Sequence, residues 1–107
     1  MGRKEQLEAM LEADPSDRFL RYALAMELDG AGENERSLQL FGELINETPP
    51  YVPAFFMSGQ QLARLERLSE ARSVLRDGIE QARVQQDFHA ASEMSEFLAS
   101  LGGRGED

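Results

Sequence analysis

Apolar residues recur at spacings of three and four along nearly the whole chain, and no segment shows the strict alternation of a half-buried strand. Helices are therefore the only elements this pattern predicts. The first is expected over about residues 3–13, with Leu7, Met10 and Leu11 on one side, stopping before Asp14-Pro15. Asp14 is then placed to cap a second helix, with Pro15 in its first turn, where a missing N–H costs nothing. That helix runs to about Asp29 with Leu20, Leu24 and Leu28 in line, and Gly30-Ala31-Gly32 ends it. A third spans about Asn34 to Glu47, turning Leu38, Phe41, Leu44 and Ile45 inward, and Thr48-Pro49-Pro50 forbids its continuation. The fourth, about Val52 to Leu65, carries Phe55, Gly59 and Leu62. Ser69 is the expected cap of a fifth, whose inward residues are Ala71, Val74, Leu75, Gly78 and Ile79. Asp87 is the expected cap of a sixth, bearing Ala90, Met94, Phe97, Leu98 and Leu101. The junction Val84-Gln85-Gln86 has no Gly or Pro, so a bent continuous helix stays open as an alternative there. Residues 102–107 are expected to form a disordered tail.

Connections of only a few residues force successive helices into antiparallel hairpins, and the hairpins repeat at an offset of 34 residues. Leu7, Phe41 and Leu75 fall in register, as do Leu11, Ile45 and Ile79; Met10, Leu44 and Gly78; and Pro15 with Pro49. Leu28 matches Leu62, Tyr22 matches Phe56, and Ala25 matches Gly59. Few aligned positions hold the same residue. Chemical class repeats at the packing positions, as it must when helix interlocking is the constraint.

A 34-residue helix-turn-helix unit with a small residue in its first helix, another opening its second, and a closing Pro resembles the tetratricopeptide repeat family. The resemblance covers about residues 3–83, and the whole chain is similar to short, stand-alone bacterial proteins of that family. Ala25 and Gly59 look like the small residue at the closest helix crossing, with Ser37 and Ala71 opposite. Arg21 stands where the family usually has a large aromatic, and Arg83 replaces the closing Pro. The expected fold is all-α, a right-handed superhelix of antiparallel hairpins formed by about six helices. A single domain over 1–101 holds full repeats at about 18–51 and 52–85, flanked by a half repeat and a terminal capping helix. Such arrays need about three helix pairs to cover their apolar faces, and six helices supply that number.

Charge narrows the partners. Eleven basic and twenty acidic residues leave a net charge of -9, the wrong sign for a phosphate backbone or an anionic membrane surface. Arg64, Arg67, Arg72, Arg76 and Arg83, interleaved with Glu66, Glu70, Asp77 and Glu80, read as a solvated face of mixed sign. The sharper alternative is a basic stripe meeting an acidic partner. No apolar run approaches the ~20 residues of a spanning helix, and Met1-Gly2-Arg3-Lys4-Glu5-Gln6 lacks a signal core, so cytoplasm is the expected compartment.

The 107 residues contain no Cys and one His, so thiol chemistry is excluded and a catalytic triad is hard to assemble. His89 with Asp87 and Glu93 is a weak metal signal beside the plainer reading of an exposed helix residue. Gly30-Ala31-Gly32 follows a helix and lacks a Lys, unlike a phosphate loop. Neither an enzyme nor a cofactor is expected.

The resemblance instead implies a concave binding face lined by the first helix of each pair. Carried over by position, that face takes Phe19, Tyr22 and Met26 from one helix and Phe56, Gln60 and Arg64 from the other. The Lys and Asn with which one subset of the family clamps a C-terminal carboxylate are replaced by Tyr22, Met26, Phe56 and Gln60. Aromatic and Met side chains there suit an apolar or amphipathic peptide. The expected function is thus an adaptor for another protein or peptide. The alternative is a self-associating structural subunit, for instance a homodimer, whose groove is filled by its own terminal helix through Ala90, Met94, Phe97 and Leu101.

Overall fold

A computed structural model describes residues 2–102, so residues 103–107 of the expected tail lie outside the described residues. Six α-helices and no strand are found among them: α1 (Arg3–Ala13), α2 (Arg18–Gly30), α3 (Asn34–Ile45), α4 (Val52–Arg64), α5 (Leu68–Val84) and α6 (Phe88–Leu101). The chain divides into two compact units, one ending at Tyr51 and the other beginning at Val52.

In the first unit α2 packs against both α1 and α3, and the ion pairs Lys4–Glu33 and Glu8–Arg36 tie α1 to the start of α3. Leu7, Leu24 and Leu28 form its core, with Leu11, Leu20, Ala23 and Leu40 packed around them. Phe41 and Leu44 of α3 are also fully buried. Each such side chain contributes about 1.5–3 kcal/mol relative to exposure. Met10 is not part of this core: it is half exposed, on a side of α1 away from the one that carries buried Leu7 onto α2.

The α1–α2 corner also corrects the expected cap. Asp14 ends α1, its N–H donating to the Met10 carbonyl, while Asp17 caps α2 by accepting from the Leu20 N–H at 2.9 Å. Pro15 therefore lies in the turn between helices, ahead of the first helical turn. The α2–α3 corner closes through Gly32 at φ 80°, with the Glu33 N–H donating to the Leu28 carbonyl. This is a left-handed helix stop that glycine adopts without steric cost.

In the second unit α5 lies between α4 and α6, and α4 also touches α6. Phe55, Leu62, Leu75, Ile79, Met94 and Leu101 are buried there. Close approach depends on two glycines. A Cβ on Gly59 would lie 2.7 Å from Cδ2 of Leu75; one on Gly78 would lie 2.5 Å from Cβ of Phe55 and 2.7 Å from Sδ of Met94.

Three local expectations change in this unit. Ser69 is already inside α5, which starts at Leu68 after Arg67 with no side-chain cap. Ala91 faces the core where Ala90 was expected, and Phe97 and Leu98 are half-buried. Arg72 leaves the supposed solvated face: it is 7% exposed, and its guanidinium donates to the Gly102 carbonyl at 3.3 Å, holding the end of α6. Asp87 does cap α6, accepting from the Ala90 N–H at 3.1 Å. The Val84–Asp87 junction is a true corner, not a bend, with Gln86 at φ 64°.

Candidate functional site

The Asp17 cap fixes where α2 begins and so which of its side chains share a face. Leu24, Ala25 and Leu28 point into the core. Phe19, Tyr22, Ala23 and Met26, spaced by three and four, lie on a neighbouring face. Together with Glu27, and with Arg3 from α1, they line an open cavity of about 270 Å³. That volume accommodates one large apolar side chain.

The cavity residues differ in how firmly they are held. Phe19 is 65% exposed and Met26 41%, a concentration of accessible apolar surface on one helix face. Tyr22 is anchored, its ring meeting Phe41 edge-on at 6.0 Å and Tyr51 at 5.5 Å. Burial raises its phenolic pKa above the ordinary value, with a smaller contribution from Tyr51. Tyr22 thus forms a wall fixed by two ring contacts, whereas Phe19 and Met26 present accessible apolar surface.

A polar clamp fixes α2 to the segment after α3. The Arg18 guanidinium pairs with Glu47 at 2.8 Å, donates to the Pro49 carbonyl at 2.6 Å, and lies 5.0 Å above the Tyr51 ring. Arg21, the residue in place of an aromatic, pairs with the same Glu47 carboxylate and donates to the Ser16 carbonyl at 3.3 Å. Arg18, paired with Glu47 and lying over the Tyr51 ring, thus ties α2 to the residue that backs Tyr22 in the cavity wall.

On α4 in the second unit, Phe56 and Gln60 are half-buried and Arg64 is exposed. The Phe56 ring meets Phe97 of α6 edge-on at 6.0 Å. The terminal helix therefore covers part of the α4 surface assigned to binding. Arg3, Ala23 and Glu27 were not among the residues singled out in the sequence. Ala23 is four residues from Phe19 and three from Met26, so its spacing placed it there; Arg3 arrives through helix packing, which periodicity does not encode.

Catalytic groupings are sparse. Among the described residues no three His, Cys, Asp or Glu side chains converge as metal ligands would. His89 is 86% exposed and lies 3.4 Å from Glu93 on its own helix. No helix of the described residues is long and apolar enough to cross a membrane.

No protein-family model matches the sequence. The chain is 28% identical over 97 residues to a TPR repeat-containing protein of Pseudomonas aeruginosa, covering 91% of this chain and 92% of that one. The solution NMR structure of a tetratricopeptide repeat domain protein from Salinibacter ruber matches with a TM-score of 0.80 and 34% identity, over 88% of this chain and 95% of that one. A crystal structure of a tetratricopeptide repeat domain protein from the same organism matches with a TM-score of 0.74 and 34% identity, over 83% and 99% of the respective chains.

Proposed function

The chain belongs to the tetratricopeptide repeat family, and we propose that it is a non-catalytic protein-interaction module, an adaptor whose α2 cavity receives an apolar side chain of a partner peptide. The observation that carries this reading is the cavity of about 270 Å³ between a fixed Tyr22 wall and the accessible Phe19 and Met26. An apolar hollow with one fixed wall and two accessible apolar side chains suits a hydrophobic anchor, the fixed Tyr22 wall adding no ordering cost on binding. Arg3 and Glu27 at the same cavity offer one charge of each sign to the peptide flanking that anchor. The full repeats are residues 18–51 and 52–85, and Phe56, Gln60 and Arg64 on α4 are a second contact set.

A random-peptide library displayed on phage and selected on the immobilised protein tests the reading. Enriched peptides should share a large apolar residue and lose binding to a folded Phe19→Ser, Met26→Ser variant. Failure to enrich any sequence, or enrichment indifferent to that variant, overturns it. The alternative, a structural subunit whose binding face is occupied by its own last helix, is favoured by one contact, the Phe56–Phe97 ring pair. It predicts that Phe97→Ala exposes a new peptide-binding surface on α4.

A further inference from the structure

The corner between α5 and α6 is built from residues suited to a continuous helix. Residues 84–89, Val-Gln-Gln-Asp-Phe-His, contain neither Gly nor Pro, and all of them are exposed, Val84 at 66% and Phe88 at 63%. The chain turns there because Gln86 adopts φ 64°, a left-handed conformation disfavoured for any residue with a Cβ. At the α2–α3 corner the same role falls to Gly32, which carries no such penalty. At the α4–α5 corner Glu66 is also left-handed, at φ 60°, but the turn leads into buried Leu68, which would lose its cover if that corner opened. Among the corners of the described residues, the one between α5 and α6 combines a left-handed residue bearing a Cβ with side chains that are all exposed.

We propose that α6 exchanges between two copies of this chain, the corner straightening so that α5 and α6 become one helix and α6 docks on α4 and α5 of the second copy. The seat is specific. Met94 is fully buried and packs at Gly78, Phe97 meets the Phe56 ring, and Arg72 holds the Gly102 carbonyl. Each of these contacts reforms between chains without loss, since the arriving helix is identical to the departing one.

Backbone hydrogen bonds balance as well. The corner uses donation from Gln86 to the Arg83 carbonyl, from Asp87 to the Ala82 carbonyl, and from the Ala90 N–H to the Asp87 carboxylate. A straight helix replaces them with bonds to the residue four earlier, leaving no donor orphaned. Straightening also puts Val84 and Phe88, four residues apart, on one face as an apolar pair available to the partner's hinge. The exchange therefore relieves Gln86 and gives Val84 and Phe88 a neighbour, and a short strained hinge is the element that invites such swapping.

The test is the mass of the full chain by light scattering after refolding from urea at micromolar and millimolar concentration, for wild type, Gln86→Gly and Gln86→Ala. Glycine relieves the corner and weakens a straight helix, while alanine keeps the corner penalty and favours the straight helix. The wild type should form a dimer at the higher concentration; Gln86→Gly should lower its association constant ~tenfold or more, and Gln86→Ala should raise it. The isolated dimer should survive dilution for the time α6 needs to undock. A wild type monomeric at both concentrations, a dimer that dissociates within the mixing time, or a dimer content indifferent to residue 86 overturns the proposal.

Discussion

The Ser37 hydroxyl on α3 donates a 2.6 Å hydrogen bond to the Ala25 carbonyl on α2, with both residues fully buried. This bond joins α2 to α3 inside the core of the first unit, where a small residue at each position leaves room for so short a contact. Ser37→Ala keeps the spacing and loses the bond, with an expected cost of about 1 kcal/mol. Ser37→Val forces the helices apart and should cost more, about 1–3 kcal/mol. Urea denaturation midpoints of the two variants should fall in that order.

Three helical glycines should respond differently to alanine. Gly42 has nothing within 4 Å of an added Cβ, so Gly42→Ala should stabilise by about 0.5–1 kcal/mol through helix propensity alone. Gly59→Ala meets Cδ2 and Cγ of the fully buried Leu75 at 2.7 and 2.8 Å, so the clash should outweigh the gain in helix propensity and the variant should be destabilised. Gly78→Ala meets Cβ of Phe55 and Sδ of Met94 from two different helices, so it should be destabilising by about 1–3 kcal/mol. Thermal melts that placed Gly78→Ala level with Gly42→Ala would contradict the packing described for α5.

The register of the fold was legible in the sequence because one constraint repeats. Leu7, Phe41 and Leu75 occupy equivalent places and are all buried. Met10 broke the pattern: it is half exposed although its counterparts Leu44 and Gly78 are buried, so class repeats along the chain without fixing burial in the first helix. Asp14 and Asp17 flank the same Pro-Ser pair, and only the backbone path decides which of them caps α2. Arg72 read as a surface cation because its acceptor, the Gly102 carbonyl, lies thirty residues away in sequence. Of the face proposed for binding, Phe19, Tyr22 and Met26 came from the family resemblance carried over by position, and all three line the cavity on α2. The Phe41 and Tyr51 packing that fixes Tyr22, and the arrival of Arg3, depend on tertiary contacts.

Helix stops supply a paired test. Gly32 and Glu66 close equivalent corners at φ 80° and 60°, each followed by a residue whose N–H donates to a carbonyl five positions earlier. Glu66→Gly should raise stability by up to about 1 kcal/mol, and Gly32→Ala should lower it by about 1–2 kcal/mol. Equal and opposite shifts in denaturation midpoint are not required, because glycine also loosens the unfolded chain.

Tyr22 predicts an alkaline limb of stability. Its pKa is raised in the folded chain, first by burial and then by Tyr51, so the folded state holds this proton more firmly than the unfolded state does. The associated stabilisation is fully present below the ordinary value of 10.0 and is lost as pH rises through the folded value. Urea midpoints between pH 9 and 12 should fall for the wild type and fall less for Tyr22→Phe.

Binding at the α2 cavity is tested most directly by calorimetric titration of a phage-selected peptide into wild-type protein and into the Phe19→Ser, Met26→Ser variant. Phe19 is largely exposed and Met26 partly so, and neither belongs to the buried core, so helicity and melting temperature should stay close to wild type. The dissociation constant should rise tenfold or more, because an anchor pocket concentrates binding energy in a few side chains. An unchanged dissociation constant in the folded variant would show that this cavity is not where the protein holds its partner.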